Sequence, residues 1–459
     1  MKRISEISFL FLIILLIATS CVKNKHEANG FIKKGYNDII ARDTLIVAVA
    51  SNSTDYFIYR GKPMGFQLEI LKEFANYLGV ELKVVVENSV YKSLAMLITG
   101  KCDMVAMSDL SCLPRQAYLS YSQPLANSRL VLVQNGNSKM IKTPEELDGQ
   151  YIYMVNTGFA SRGLSLFNGK GVYNLHTVLL DSIDSEQLLE GISSGNYTYG
   201  VVTENLAMLY NDVLNIKIGA VISDSIPLQW VLPASSQQLL DTLNRWIDSN
   251  KEKKLFKTKY NKYYRHFSGE YSIDYSEYMT NKGNISPFDD IIKVQSKKIG
   301  WDWRLLASLI YQESKFNPLA TSWAGAYGIM QLMPQTASLY NINENSDVDD
   351  HITAGVAVIA TINNNIPESV CDTLDRIRFT LAAYNLGYSH VNDAILLTRK
   401  YGYNSDDWND VSLFLTHLSD PKFYTDSVVS SGYCPGRLTV KFVDEILERY
   451  THYCNILKE

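Results

Sequence analysis

The sequence is poor in the features that mark metal centres and nucleic-acid binding. Its seven histidines are scattered, and its six cysteines show no metal-site spacing. Neither sign of charge dominates, because 43 basic residues stand against 48 acidic ones, with a formal net charge of −5. This balance argues against a nucleic-acid partner. Since a phosphate-binding loop is also absent, no cofactor and no metal are expected.

Long apolar runs are scarce too, except near the N-terminus. A basic start precedes an apolar run over 9–17, which is too short to span a membrane. Residues 18–21 (ATSC) resemble a lipobox, the cleavage site before a lipid-modified cysteine. Residues 1–21 are therefore predicted to be a lipoprotein signal peptide with Cys21 lipidated; an ordinary signal peptide is the alternative. Val22 favours the outer membrane of a Gram-negative envelope, with the protein facing the periplasm.

The chain is long enough for two or three domains. It has 459 residues, of which 46% are hydrophobic and 20% charged, a composition typical of globular proteins. Residues 22–42 are polar and predicted to be a tether. Residues 268–285 are polar, lack periodicity and are predicted to be an interdomain linker. Two domains, 43–267 and 286–459, are therefore expected.

The first domain begins with alternating strands and helices. Residues 44–50 form an apolar, β-branched run of strand length, 65–78 carry a helical apolar stripe, and 81–86 form the next strand. Units of this kind predict a parallel, doubly wound sheet with ligands at the carboxyl ends of its strands.

Short blocks in this domain resemble the type 2 periplasmic solute-binding proteins (family 3) that bind amino acids. The blocks are 63–66 (PMGF), 100–103 (GKCD), 121–124 (YSQP) and 143–149 (TPEELDG). The resemblance implies an α/β two-lobed periplasmic solute-binding protein-like domain that closes on its ligand like a hinge. From about residue 226 the chain is expected to return to the first lobe.

The same resemblance suggests three ligand contacts. Arg115 matches an arginine that clamps a ligand carboxylate, Ser108 a polar contact upstream, and Glu204 an acid that receives the amino group. The alternatives are a surface cation at Arg115 and a helix-start acid at Glu204. Phe159 replaces the usual small residue, which leaves room for a peptide or for no ligand. An amino acid or a muropeptide is the expected partner.

The second half carries helical periodicity and is predicted to be α-rich. An exported chain permits disulfides, and Cys371 could pair with Cys434 or Cys454. The helical segments are predicted at 288–300, 302–316, 333–341, 350–365, 373–385 and 439–454.

One predicted helix in this half carries a carboxylate at its end. Leu306, Ile310 and Glu313 share a face at helical spacing, and the helix stops before Pro318. The helix dipole and the apolar neighbours both raise the pKa expected for Glu313, which suits a general acid. The alternative is a solvated glutamate at a frayed helix end.

Three separated blocks around this glutamate resemble the lytic transglycosylase signature of the soluble-lysozyme-like (SLT) domain. They are 312–314 (QES), 325–331 (GAYGIMQ) and 383–387 (AYNLG). The resemblance implies an α-rich lysozyme-like domain in which Glu313 is the catalytic acid/base. It also implies that Gly325 and Gly328 let the loop pass close to substrate, and that the substrate-binding residues are Ser322, Gln331, Tyr384 and Asn385.

The resemblance also fixes the expected reaction. Glycoside hydrolases generally use two carboxylates, but the motif region offers only Glu313, since capping explains Asp349 and Asp350. Lytic transglycosylases need only one. Leu438 stands where the family commonly has a further cleft glutamate, which could alter activity.

Together the anchor, the solute-binding domain and the SLT domain resemble the membrane-bound lytic murein transglycosylase F family. The expected function is non-hydrolytic cleavage of peptidoglycan, with a first domain that binds a ligand and regulates the second. One alternative is a sensor lipoprotein that binds peptidoglycan, an amino acid or a peptide and has a weakly active or inactive SLT domain. Another is a transport receptor for amino acids.

Overall fold

The computed structural model describes residues 35–108, 116–156, 176–265 and 273–458. The predicted signal peptide with Cys21, most of the tether, Arg115 and Phe159 lie outside these residues. None of the helices in the described ranges is long and apolar enough to cross a membrane.

The first domain consists of two lobes, each built on a five-stranded sheet. In spatial order the strands of the first sheet are 81–86, 44–49, 104–106, 231–233 and 119–121, and those of the second are 176–180, 151–155, 199–203, 130–135 and 216–221. The first lobe starts with α1 Tyr36–Ala41, β1 Thr44–Val49, β2 Phe57–Tyr59, β3 Lys62–Met64, α2 Phe66–Leu78, β4 Glu81–Val86, α3 Val90–Ile98, β5 Met104–Ala106 and β6 Leu119–Tyr121. Next come the connecting strand β7 Ala126–Ser128, the second lobe and the connecting strand β13 Ile226–Leu228. The second lobe comprises β8 Leu130–Asn135, β9 Tyr151–Val155, β10 His176–Leu180, α4 Ser185–Ser193, β11 Tyr199–Thr203, α5 Glu204–Tyr210 and β12 Ile216–Val221.

The chain returns to the first lobe where the sequence predicts it. Strands β7 and β13 pair with each other between the lobes, and β14 (Val231–Pro233) then joins the first sheet. Helices α6 (Gln237–Asn250) and α7 (Lys254–Tyr264) follow. The sheets are mixed rather than parallel, because β14 runs antiparallel to β5 and β8 runs antiparallel to β11. Strands β8 and β14 each come directly after the chain crosses from one lobe to the other. The local alternation of strands and helices does not reveal such crossings, so it could not predict the antiparallel direction of these two strands.

The predicted linker carries a helix, α8 (Tyr275–Thr280), capped by the Asp274 side chain. Tyr275 and Tyr278 are buried in the core of the first domain. Part of the segment therefore packs as a piece of the first domain.

The second domain is helical in its described residues, as predicted. Leu306 and Ile310 of α10 are fully buried in its core. Cys371 is a free, exposed thiol, so neither predicted disulfide forms. The helices are α9 Asp289–Ser296, α10 Trp303–Ser314, α11 Pro334–Leu339, α12 Val348–Asn365, α13 Thr373–Leu386, α14 Tyr388–Lys400, α15 Trp408–His417, α16 Pro421–Tyr424 and α17 Gly436–Ile456.

The last helix joins the two domains. Residues at and after the end of α17 cover the edge strand β4: Asn455 donates to the Val84 carbonyl at 3.1 Å and Lys458 to the Val86 carbonyl at 3.2 Å. The buried Tyr56 hydroxyl lies 2.6 Å from His452 Nδ1. Because α17 also packs against α10, it contacts both the first domain and the helix that carries Glu313.

Candidate active site

Glu313 lies in the last turn of α10. The Asp302 side chain caps the start of this helix by accepting from the Arg304 amide at 2.9 Å. The helix ends because Lys315 and Phe316 both adopt left-handed backbone conformations, with φ of 54° and 62°. Two consecutive non-glycine residues of this kind are uncommon. The terminus is thus a defined turn rather than the frayed end that the alternative interpretation required.

The surroundings of Glu313 favour its protonated form. Burial raises the pKa of its carboxyl group to about 8, and no charged neighbour contributes to this shift. Within the part of the chain that the structure describes, the carboxyl group has no ion-pair partner. The raised pKa predicted from the sequence is confirmed, with desolvation as its cause. A carboxyl group that is mostly protonated at neutral pH can donate a proton to a leaving oxygen.

Tyr384 connects the second and third sequence blocks next to this carboxyl group. Its hydroxyl donates to the Met330 carbonyl at 2.8 Å. Burial raises the pKa of Tyr384 well above its ordinary value, and the charge of Glu313 adds to the shift, so the two side chains lie within electrostatic range. The fold therefore brings together the three blocks that are separate in the sequence.

Ser322 and Gln331 organise the loop between α10 and α11. The Ser322 hydroxyl accepts from the Ala326 amide at 3.0 Å. Gln331 Nε2 donates to the carbonyls of Ala320 and Gly328, at 2.9 and 2.8 Å. Because these bonds use both amide hydrogens of Gln331, only its carbonyl oxygen stays available to a sugar hydroxyl or amide.

Gly325 and Gly328 require glycine for different reasons. Gly325 (φ 88°) has open space where a Cβ would lie, so its backbone conformation is what requires glycine. At Gly328 (φ 79°) a Cβ would lie 2.5 Å from the His351 ring. A side chain at Gly328 would therefore clash with a buried histidine of the protein itself.

Asn385 and Leu438 lie near the start of α17. The Asn385 side-chain oxygen accepts from the Thr439 hydroxyl at 2.8 Å, which ties the end of α13 to α17. Leu438 is 66% exposed, so the position where the resemblance leads us to expect a cleft glutamate carries a solvent-facing apolar side chain. Asp349 and Asp350 lie in the first turn of α12, where the helix dipole accounts for them.

A second candidate site is a cavity of about 500 Å³ between the lobes of the first domain. Ser108 lines it, but its amide and hydroxyl both donate to the buried Asp55 carboxylate, the amide at 3.0 Å. Burial raises the pKa of Asp55. Asp55 thus satisfies the donors that the resemblance assigns to a ligand, a pairing that the sequence analysis missed.

Glu204 does not line this cavity. Its carboxylate forms a bidentate ion pair with Arg129, at 2.7 and 2.6 Å. The Glu204 carboxylate is therefore paired with Arg129, which lies between β7 and β8, rather than left for a ligand amino group. Its neighbour Asn205 does line the cavity and is 8% exposed.

Comparisons with known proteins agree with this two-domain arrangement. The transglycosylase SLT domain family matches residues 290–406, and the bacterial extracellular solute-binding proteins of family 3 match residues 45–266. A membrane-bound lytic murein transglycosylase F from Desulfosudis oleivorans is 30% identical over 424 residues, which cover 90% of each chain. The protein of the same name from Salmonella typhi is 28% identical, covering 100% of this chain and 96% of its own. That of Alcanivorax borkumensis is 28% identical and covers 90% and 88%.

Proposed function

The chain belongs to the membrane-bound lytic murein transglycosylase F family, and from this premise we propose that Glu313 is both acid and base in its reaction. The protein is a peptidoglycan lytic transglycosylase, an enzyme of the lyase type, with an N-terminal solute-binding domain. Its substrate is the glycan strand of peptidoglycan. The bond cleaved joins N-acetylmuramic acid (MurNAc) to N-acetylglucosamine (GlcNAc).

The reaction proceeds in two proton transfers through one carboxyl group. Protonated Glu313 first gives its proton to the oxygen between MurNAc and GlcNAc, and the bond from that oxygen to C1 of MurNAc breaks. The resulting carboxylate then takes the proton of the C6 hydroxyl of the same MurNAc, whose oxygen bonds to C1. The products are a GlcNAc hydroxyl and a 1,6-anhydroMurNAc end, without water, and Glu313 is protonated again.

One observation carries this proposal: a carboxyl group whose pKa is raised to about 8 by burial, with no charged neighbour contributing. A second carboxylate close enough to act as base would be expected to change that pKa through its charge. A single group that alternates between acid and base fits these surroundings, and hydrolysis by a carboxylate pair does not.

We assign the remaining cleft residues supporting roles. Tyr384 steadies the loop carbonyl at Met330 and the departing bond, whereas Ser322, Gln331 and Asn385 hydrogen-bond the sugar or its N-acetyl group. For Gln331 this contact is made by the carbonyl oxygen, because its amide hydrogens bind the loop.

The first domain has a separate proposed role. It binds a small ligand, an amino acid or a muropeptide, in the cavity between its lobes and regulates the catalytic domain. Arg115 and Ser108 are the proposed ligand contacts, Ser108 through its hydroxyl oxygen as an acceptor, because both of its donors bind Asp55.

Cys21 anchors the chain by its lipid in the cell envelope, at the outer membrane and facing the periplasm.

The assignment of Glu313 is tested by digesting purified sacculi with the wild type and with Glu313→Gln. The variant is expected to lose activity by about 10²–10⁴-fold, because glutamine cannot donate and accept the proton. Glu368→Gln, at an exposed position, is the matched control and should keep wild-type activity. Undiminished activity in Glu313→Gln would exclude Glu313 as the acid.

A further inference from the structure

A hairpin of the first domain reaches the end of the catalytic helix. Strands β2 and β3 are joined by Arg60 and Gly61, which both have positive φ, 49° and 72°. This two-residue turn is of the type that matches the twist of paired strands. The Arg60 side chain and the Tyr59 hydroxyl both bind Glu277, at 2.8 and 2.9 Å. The hairpin is therefore fixed to α8 of its own domain.

The tip of this hairpin packs against two aromatic rings of the catalytic domain. A Cβ at Gly61 would lie 2.5 Å from the Phe316 ring and 2.7 Å from the Tyr311 ring. The fully buried Tyr453 of α17 donates its hydroxyl to the Gly61 carbonyl at 2.6 Å. No side chain fits at this position, so the backbone of the first domain is in direct contact with the rings.

These two rings flank Glu313 in the sequence. Tyr311 precedes it in the last turn of α10, and Phe316 follows it in the left-handed turn, with ring centroids 5.8 Å apart. On its own domain's side, the Arg449 guanidinium lies 4.4 Å from the centre of the Tyr311 ring. A bulky residue such as Phe316 holds a positive φ only where its surroundings impose it. The Gly61 tip is one of those surroundings.

We propose that the Arg60–Gly61 turn is a positioning element for the catalytic reaction, which holds the Tyr311 and Phe316 rings and thereby fixes the helix end that presents Glu313. Neither residue of the turn touches the reacting atoms. The inference rests on the proposed role of Glu313. It states that the catalytic geometry depends on a contact supplied by the other domain.

The test compares two glycine-to-alanine substitutions in the full chain. Gly61→Ala pushes against both rings, whereas Gly79→Ala introduces a side chain at nearly the same φ (71°) into open space. Both substitutions therefore place alanine at a similar positive φ, and only the first displaces the rings. With solubilised glycan strands, Gly61→Ala is expected to lower kcat at least about tenfold with little change in KM. Gly79→Ala should keep the wild-type kcat.

The pH profile separates positioning from simple loss of folded protein. A shifted helix end changes the burial that raises the pKa of Glu313, so the high-pH limb of kcat should move in Gly61→Ala. A smaller fraction of folded enzyme would lower kcat equally at all pH values. Tyr453→Phe, which removes only the bond to the Gly61 carbonyl, should show the same shift to a lesser degree if Gly61→Ala fails to fold.

Equal kcat values and equal high-pH limbs in the Gly61→Ala and Gly79→Ala variants would overturn the inference. If Gly61→Ala does not fold, a Tyr453→Phe variant whose high-pH limb of kcat is that of the wild type would overturn it. Failure of the proposed function is distinguishable, because it would appear as activity in Glu313→Gln whatever the glycine variants do.

Discussion

The two candidate sites of this protein differ in how they use their polar residues. Among the described residues the Glu313 carboxyl group has no ion-pair partner, and burial raises its pKa to about 8. In the first domain the residues expected to meet a ligand are satisfied internally, Ser108 by Asp55 and Glu204 by Arg129. A buried carboxyl group without an ion-pair partner keeps its proton at neutral pH, whereas neighbouring side chains of the first domain already bind the groups expected to contact a ligand. Local sequence therefore predicts the surroundings of Glu313 better than those of the ligand cavity.

The largest effect that would sharpen this comparison is on the pH dependence of activity. Because Glu313 must be protonated to act first, kcat should fall about tenfold per pH unit above about 8. Rates on glycan strands between pH 5 and 10 would show this limb. If kcat instead fell above about pH 4.5, the pKa of Glu313 would be that of an ordinary glutamate. The two sites would then not differ in the way described.

A smaller effect is expected on stability. The pKa of Glu313 is higher in the folded than in the unfolded chain, so the burial cost of its charge is absent below pH 4.5 and complete above about 8. Glu313→Gln should therefore be more stable than the wild type at pH 9, by about 1–3 kcal/mol once partial exposure is discounted.

Thermal unfolding of both proteins at pH 5 and pH 9 measures this difference. The gain should shrink towards pH 5, and Glu368→Gln should show none at either pH. A Glu313→Gln variant less stable than the wild type would mean that favourable interactions stabilise the Glu313 carboxylate, as the ion pair with Arg129 does for Glu204.

The smallest effect is expected at Glu204. Its pair with Arg129 is partly exposed, with side-chain exposures of 24% and 47%, so Glu204→Gln should cost at most about 1 kcal/mol. Calorimetry with amino acids and purified muropeptides should give affinities within about threefold of the wild type. Loss of binding in Glu204→Gln would mean that Glu204 does contact the ligand amino group, as the resemblance suggests. The contrast between the two sites would then be wrong.

The catalytic region was the more predictable part of the fold. The apolar face of α10, its end before Pro318 and the raised pKa of Glu313 all follow from residues close together in the chain. Helices α14 to α16 were not predicted, although Asp407 and Asp420 cap α15 and α16 and gave a usable signal. Helix α14 starts directly after Gly387, so the AYNLG block ends one helix and begins the next.

The first domain was predicted in outline only. Asp55 and Ser108 are 53 positions apart and Arg129 and Glu204 are 75 apart, so no local pattern could pair them. The antiparallel strand β14 and the contact of Gly61 with the catalytic domain depend on tertiary structure in the same way.

The central claim is that Glu313 serves as acid and base without water entering the products. Digestion of sacculi in water enriched in oxygen-18, followed by mass spectrometry of the released muropeptides, tests it most directly. The account predicts 1,6-anhydroMurNAc ends with no heavy oxygen. Reducing MurNAc ends that carry the label would show that the enzyme hydrolyses the bond and would contradict it.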